Sequence, residues 1–154
     1  MKRIAVVRVR GLIGTSRTVE DALRMLRLSK VNYCSIIDDR DTYNGSLKKV
    51  KDYVTWGHVG EKDVALILEK RGELLGGKRL TDGYIKENTK FKSIEDFVKS
   101  FINFEAELDD IPQLKQFFRL HPPRKGHGGI KRSFIEGGAL GKRDNMENLL
   151  YRMR

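Results

Sequence analysis

The sequence predicts an α+β fold: a small three-stranded sheet packed with two helices, then a helical C-terminal extension that carries a basic loop. Three observations point to it. Residues 1–60 alternate short β-branched runs with segments of helical apolar spacing, giving the order strand, helix, strand, helix, strand. Residues 61–118 lose that alternation, and six of the seven phenylalanines fall between Phe91 and Phe118. Residues 119–133, "RLHPPRKGHGGIKRS", hold five bases, two histidines, two prolines, three glycines and no acid. The expected divisions are therefore a βαβαβ core at 1–60, a helical extension packed on it at 61–118, and a basic loop with a closing helix at 119–154.

In "RIAVVRVRG", Val7 and Val9 alternate with Arg8 and Arg10, the period of a strand with one covered face, ended by Gly11. "GLIGTSR" follows as a glycine turn. Thr18 is placed to cap a helix, with Asp21 three positions on as its box partner. Val19, Ala22, Leu23 and Leu26 then recur at helical spacing, with Arg17, Arg24 and Arg27 off the stripe. "VNYCSII" reads as the second strand, closed by the polar turn "DDRDTYNG". Leu47, Val50 and Val54 fall at i, i+3 and i+7 of a second helix, "SLKKVKDYV", and "VTWGHVG" adds a third short strand.

Beyond Gly60 the spacing turns helical. "EKDVALILEKRG" has its acids first, its bases last and Gly72 next, the pattern of a capped helix with a complemented dipole. In "SIEDFVKSFINFE", Ser93 and Asp96 form a capping signature, and Ile94, Phe97, Val98 and Phe101 share one face. Pro112, Pro122 and Pro123 mark the passage to the tail. "RDNMENLLYRMR" offers Asp144 and Glu147 as cap and box partner, and Met146, Leu149, Leu150 and Met153 as an apolar stripe. That last helix must dock, which tethers the basic segment at both ends. Residues 1–118 are expected to fold alone, with 119–133 mobile until a partner binds.

The 154 residues suffice for one domain. Lys and Arg number 31 against 21 Asp and Glu, a net charge of +10 that favours a polyanionic partner. The surplus is concentrated: nine bases against three acids from Arg119 onward, against 22 and 18 in residues 1–118. The single cysteine, Cys34, excludes an intramolecular disulfide and sits in a strand, where burial is expected. "IAVV" is too short for a signal peptide, and no apolar run approaches the roughly 18 residues of a membrane span. An intracellular protein away from membranes is expected.

Catalytic chemistry finds no support. "GELLGGKR" aligns Gly72, Gly77 and Lys78 with a phosphate-binding loop, but Arg79 replaces the hydroxyl that would hold Mg²⁺, and a helix precedes it instead of a strand. One cysteine and three scattered histidines, with His121 and His127 six apart, make no zinc site. Paired acids such as Asp38–Asp39 and Asp109–Asp110 read as solvated turns. No metal, no cofactor and no enzyme activity is expected.

The tail meets four requirements of an RNA ligand at once. Lys and Arg bind phosphate, glycine lets the backbone come close, and proline keeps a segment extended along a groove. His121 and Phe134 offer flat faces for an unpaired base. At this point the chain resembles the L-thirty family of large-subunit ribosomal proteins, called L-seven in eukaryotes, in its longer archaeal form. "VRVRGLIGTSRTVEDALRMLRL" and "GSLKKVKDYVTWG" resemble the family's core. "FFRLHPPRKGHGGIKRSF", "GGALGKR" and "NLLYRM" resemble its archaeal and eukaryotic extension.

The resemblance implies a structural constituent of the large ribosomal subunit, in cytoplasmic ribosomes, with a somewhat ferredoxin-like core and no catalysis. It implies contact with ribosomal RNA, including the small 5S-type RNA of the subunit, and with neighbouring ribosomal proteins. By matching position, the RNA-binding residues are Arg8, Arg10 and Arg17, then Lys48, Lys49 and Lys51 of the second helix. Trp56 joins them as a base platform, with a core tryptophan as the equal alternative. The tail adds Arg119, His121, Arg124, Lys125, His127, Lys131, Arg132, Lys142 and Arg143. Arginine and lysine would clamp phosphates, and the histidines would stack or hydrogen-bond. Two other classes fit the composition: a transient RNA-processing or remodelling factor, and an enzyme acting on a phosphorylated substrate.

Overall fold

The computed structural model describes residues 2–154. Strands β1 (Arg3–Arg8), β2 (Tyr33–Asp38) and β3 (Val54–His58) form an antiparallel centre with β1 in the middle. Val6 faces Ser35 on one side and Trp56 on the other. Helices α1 (Arg17–Met25) and α2 (Asp41–Val50) cover one face, where Ile4 and Val6 meet Leu23, Leu26, Leu47 and Val50. The opposite face, with Ala5, Val7, Cys34 and Ile36, receives α3 (Glu61–Arg71), α5 (Ile94–Ile102) and α6 (Met146–Met153). Helix α4 (Asp82–Asn88) and a short 3-10 turn at Leu108–Asp110 add Ile85 and Leu108 to that layer.

The order strand, helix, strand, helix, strand holds across residues 3–58. The three-stranded sheet does not. The sheet has six strands in the order β4-β2-β1-β3-β6-β5, and the tail supplies β4 (Phe118–Arg119), β5 (Gly129–Ser133) and β6 (Gly138–Lys142). A three-stranded centre leaves two open edges of unpaired amides and carbonyls, and the tail covers both. β4 pairs with β2 antiparallel, and β6 pairs with β3 in parallel, Thr55 beside Gly141. Two residues are too few for a periodic signal, and glycines in β5 and β6 read as loop.

β1 also differs from a strand with one covered face: all six of its residues are buried. As the central strand between two helical layers it has no solvent side, so its arginines are interior. Arg3 pairs with Asp38 and with Glu107 at 3.0 Å, and its guanidinium lies 3.9 Å and 4.1 Å from the ring centres of Phe101 and Phe104. That cluster joins β1, β2 and the helical extension.

Two helix ends follow the sequence. Ser93 Oγ accepts the Asp96 amide at 3.2 Å, and the face of Ile94, Phe97, Val98 and Phe101 is buried. Gly72 ends α3, where an added Cβ would come within 2.4 Å of the Leu68 carbonyl oxygen. Others shift. α1 starts at Arg17 with Ser16 preceding it, and Thr18 lies inside the helix. α2 starts at Asp41, so most of the "polar turn" is helix, and Val54 belongs to β3. Asn145, not Asp144, precedes α6. Asp, Asn, Ser and Thr cluster at all three starts, so composition alone does not choose among neighbouring caps.

The tail is less free than expected. Leu120 is buried in the main core, and its amide donates to the Asn32 carbonyl at 3.1 Å. The amides of His121 and Arg124 donate to the carbonyls of Met153 and Arg152 at 2.9 Å and 3.1 Å. Lys131 and Arg132 are exposed and lie within a register shift between β5 and β6. In the RNA-free protein the amides of Leu120, His121 and Arg124 should resist hydrogen exchange while those of Lys131 and Arg132 exchange fast. Uniform fast exchange over 119–133 would refute the docking of this segment.

Candidate nucleic-acid interface

Charge divides by segment in a way that fits this architecture. Residues 1–60 carry twelve bases against six acids, and residues 119–154 carry nine against three. Residues 61–118 carry ten against twelve. The two basic segments, each +6, are joined edge to edge through β3 and β6, and the near-neutral segment forms most of the layer behind. A surplus laid out this way is the electrostatic footprint of a polyanion.

The residues expected to bind RNA fall into three groups. Arg17, Lys48, Lys49, Lys51, Arg119, His121, Arg124, Lys125, Lys131, Arg132 and Lys142 are exposed. Arg10, Trp56 and His127 are half-buried. Arg10 donates to the Asp52 carbonyl at 3.1 Å and lies over the Tyr53 ring, beside the end of α2 that carries Lys48, Lys49 and Lys51. Trp56 packs with the apolar residues of α1 and α2, which favours its core alternative.

Arg8 and Arg143 are buried, unlike the exposed bases expected to act with them. Arg8 donates to the carbonyls of Leu28 at 2.8 Å and Ser29 at 2.7 Å, satisfying backbone just past the end of α1, and to Arg10 at 2.9 Å. Arg143 donates to Thr55 Oγ1 at 2.8 Å and to the Ala139 carbonyl at 3.0 Å. Burial lowers the pKa of both guanidiniums, with Glu20 opposing at Arg8 and Arg152 adding at Arg143. Through these bonds both tie together segments of the frame beside their exposed neighbours.

The tail's loop is organised by a residue that the sequence reading passed over. Arg152 donates to the Arg124 carbonyl at 2.9 Å and 2.6 Å and to the Gly126 carbonyl at 2.6 Å, so α6 grips the loop directly. Asn145, Asn148 and Arg152 follow helical spacing, a polar stripe that was legible beside the apolar one. At Gly138 an added Cβ would lie 2.1 Å from the Arg132 carbonyl oxygen, so only glycine lets β5 and β6 close up behind Lys131 and Arg132. Tyr33 and Phe117 were also missed. Their rings stack at 5.1 Å, with the Arg119 guanidinium 6.0 Å and 5.8 Å from the two ring centres. They sit at the β2–β4 edge, far apart in sequence.

The residues of "GELLGGKR" make a hairpin instead of a phosphate loop: Leu74 donates to the Lys78 carbonyl at 2.7 Å and Gly77 to Leu74 at 3.0 Å. Glu73 accepts from Lys115 at 2.8 Å, a bond that lowers its pKa. Burial pushes the Cys34 thiol up to about 12, which removes it as a nucleophile. Among the described residues no group of three or more His, Cys, Asp or Glu could hold a metal ion, and no helix is long and apolar enough to cross a membrane.

This arrangement defines a class: a basic α+β protein that holds an acid-free segment, its bases exposed, on a fixed frame. Comparison with known proteins narrows it. The family model described as ribosomal protein L30p/L7e matches residues 4–54. The chain is 55% identical to the large ribosomal subunit protein uL30 of Methanopyrus kandleri, over 94% of this chain and 99% of that one. It is 44% and 43% identical to the proteins of the same name from Archaeoglobus fulgidus and Methanocella arvoryzae, over 97% of this chain and 99% of each. The chain belongs to the L30p/L7e family of ribosomal proteins.

Proposed function

We propose that this protein is a structural constituent of the large subunit of an archaeal cytoplasmic ribosome and not an enzyme. It binds ribosomal RNA through Arg10, Arg17, Lys48, Lys49 and Lys51 on the core and through the exposed bases of the tail. The observation that carries this reading is the segment from Arg119 to Ser133. It has no acid, its bases point outward, and backbone bonds to Asn32, Met153 and Arg152 hold its first half in place. His121 is an exposed face for stacking. Near full-length identity to proteins named for the large subunit supports the same reading.

The finer assignments are ours as well. Residues 1–60 act as a ferredoxin-like RNA-binding core, 61–118 as a helical extension packed on that core, and 119–154 as the basic RNA-binding loop and C-terminal helix. The small 5S-type RNA is among the RNAs contacted. A ribosomal constituent should stay with large subunits through a high-salt wash and sedimentation, whereas a transient RNA-processing or remodelling factor should be released. Recovery of the protein only in the washed-off fraction would overturn the constituent reading.

A further inference from the structure

Between α6 and the loop that Arg152 grips lies a cavity of about 170 Å³, several times the roughly 30 Å³ that one water occupies in the liquid. Asn145, Asn148 and Arg152 line it together with His127, Phe134 and Arg143, whose guanidinium lies 4.9 Å from the Phe134 ring centre. No lining residue is acidic. Both ring nitrogens of His127 are buried and have no hydrogen-bond partner among the described residues. Buried polar atoms in native proteins are nearly always satisfied, so these nitrogens call for a partner, water or ligand, that the protein does not supply.

The remaining donors agree. Arg143 and Arg152 commit Nε and Nη2 to protein oxygens, and Nη1 of each makes no protein hydrogen bond. The side-chain amides of Asn145 and Asn148 likewise make no hydrogen bond among the described residues. Burial, then the charges of Arg143 and Arg152, pull the His127 pKa below its usual value. The lining therefore offers two guanidiniums and two amides, with the imidazole of His127 beside them. A cation would meet repulsion here, and an apolar group would strand these donors. A phosphate offers acceptor oxygens and negative charge together.

We infer that this cavity is a phosphate seat, in which Arg143, Arg152, His127 and the two asparagines receive one phosphodiester group of the bound RNA. The inference rests on the RNA-binding reading above and deepens it: the exposed bases attract RNA, and the cavity fixes one backbone position. Because Arg152 also holds the Arg124–Gly126 backbone, an occupied seat would tie RNA, loop and α6 together.

The test uses the full chain labelled with ¹⁵N and follows the imidazole nitrogens of its three histidines. Sodium phosphate is titrated against sodium chloride at matched ionic strength and constant pH. Phosphate should shift His127 saturably, while His58 and His121, both exposed and outside the cavity, stay with the chloride control. Asn148→Asp places a carboxylate in the cavity from an exposed helix position and should weaken that response about tenfold or more. An equal response to chloride, or unchanged phosphate binding in Asn148→Asp, would overturn the seat. Large-subunit RNA is then added. It should shift His127 in the wild type, and Asn148→Asp should lower the salt dependence of RNA binding by about 0.7–0.9, one phosphate's share. RNA that binds with His127 unmoved overturns the seat and leaves the proposed function standing. Phosphate that binds at His127 in a chain without RNA affinity overturns the proposed function, and with it the assignment of this phosphate to RNA.

Discussion

Phe97→Ala and Phe101→Ala should each cost about 3–5 kcal/mol of folding stability, the usual penalty for emptying an aromatic core site. Phe97 is 0% and Phe101 1% exposed. Their rings stack at 5.9 Å, and Phe91 meets Phe97 edge-on at 5.3 Å. Phe101 has a second role, because its ring lies 3.9 Å from the guanidinium centre of Arg3, the buried cation that joins β1 to Asp38 and Glu107. Since domains are stable by only about 5–15 kcal/mol, either change removes a large share of the margin. The two rings touch, so the double variant should fall short of the sum. Urea unfolding measures both losses, and RNA binding should fail only where the fold does. Wild-type stability in both variants would show that this face does not hold the core.

The α5 face was readable because it carries two signals at once, a cap at Ser93 and an unbroken apolar stripe, and both were found in place. The docking of α6 was readable for the same reason: Met146, Leu149, Leu150 and Met153 are all 3% exposed or less. The sheet was only half readable. β4 and β6 take their conformation from the edges of β2 and β3, and β5 from β6, while their own residues carry no strand period. Arg8 shows the matching limit for the candidate interface. Alternation with valines suggests a solvent face, but whether a strand is central or at an edge is decided by elements distant in sequence. The exposed bases of the tail were legible from composition alone. The Arg152 grip and the Tyr33–Phe117 stack were not, since each needs partners that only the fold brings together.

Replacing Arg119, Arg124, Lys125, Lys131 and Arg132 together with Gln should weaken RNA binding strongly and leave the protein folded. Arg124, Lys125, Lys131 and Arg132 are exposed and pair with no acid. Arg119 is the exception, 3.8 Å from Glu73 and near the Tyr33–Phe117 stack. Exposed pairs and exposed cation–π contacts contribute little, so the stability loss should stay within about 1–2 kcal/mol. Arg152 still holds the loop through backbone carbonyls that the substitutions leave in place.

RNA binding should respond quite differently. Each phosphate contact releases condensed counterions, so each one lost lowers the slope of log affinity against log salt by about 0.7–0.9. Binding isotherms on large-subunit RNA at several salt concentrations, for wild type and the five-fold variant, measure that slope directly. Five engaged bases predict a drop of about 3.5–4.5. An unchanged slope would contradict the account at its centre: the acid-free segment would then be a connector between strands, and the RNA contacts would have to lie elsewhere.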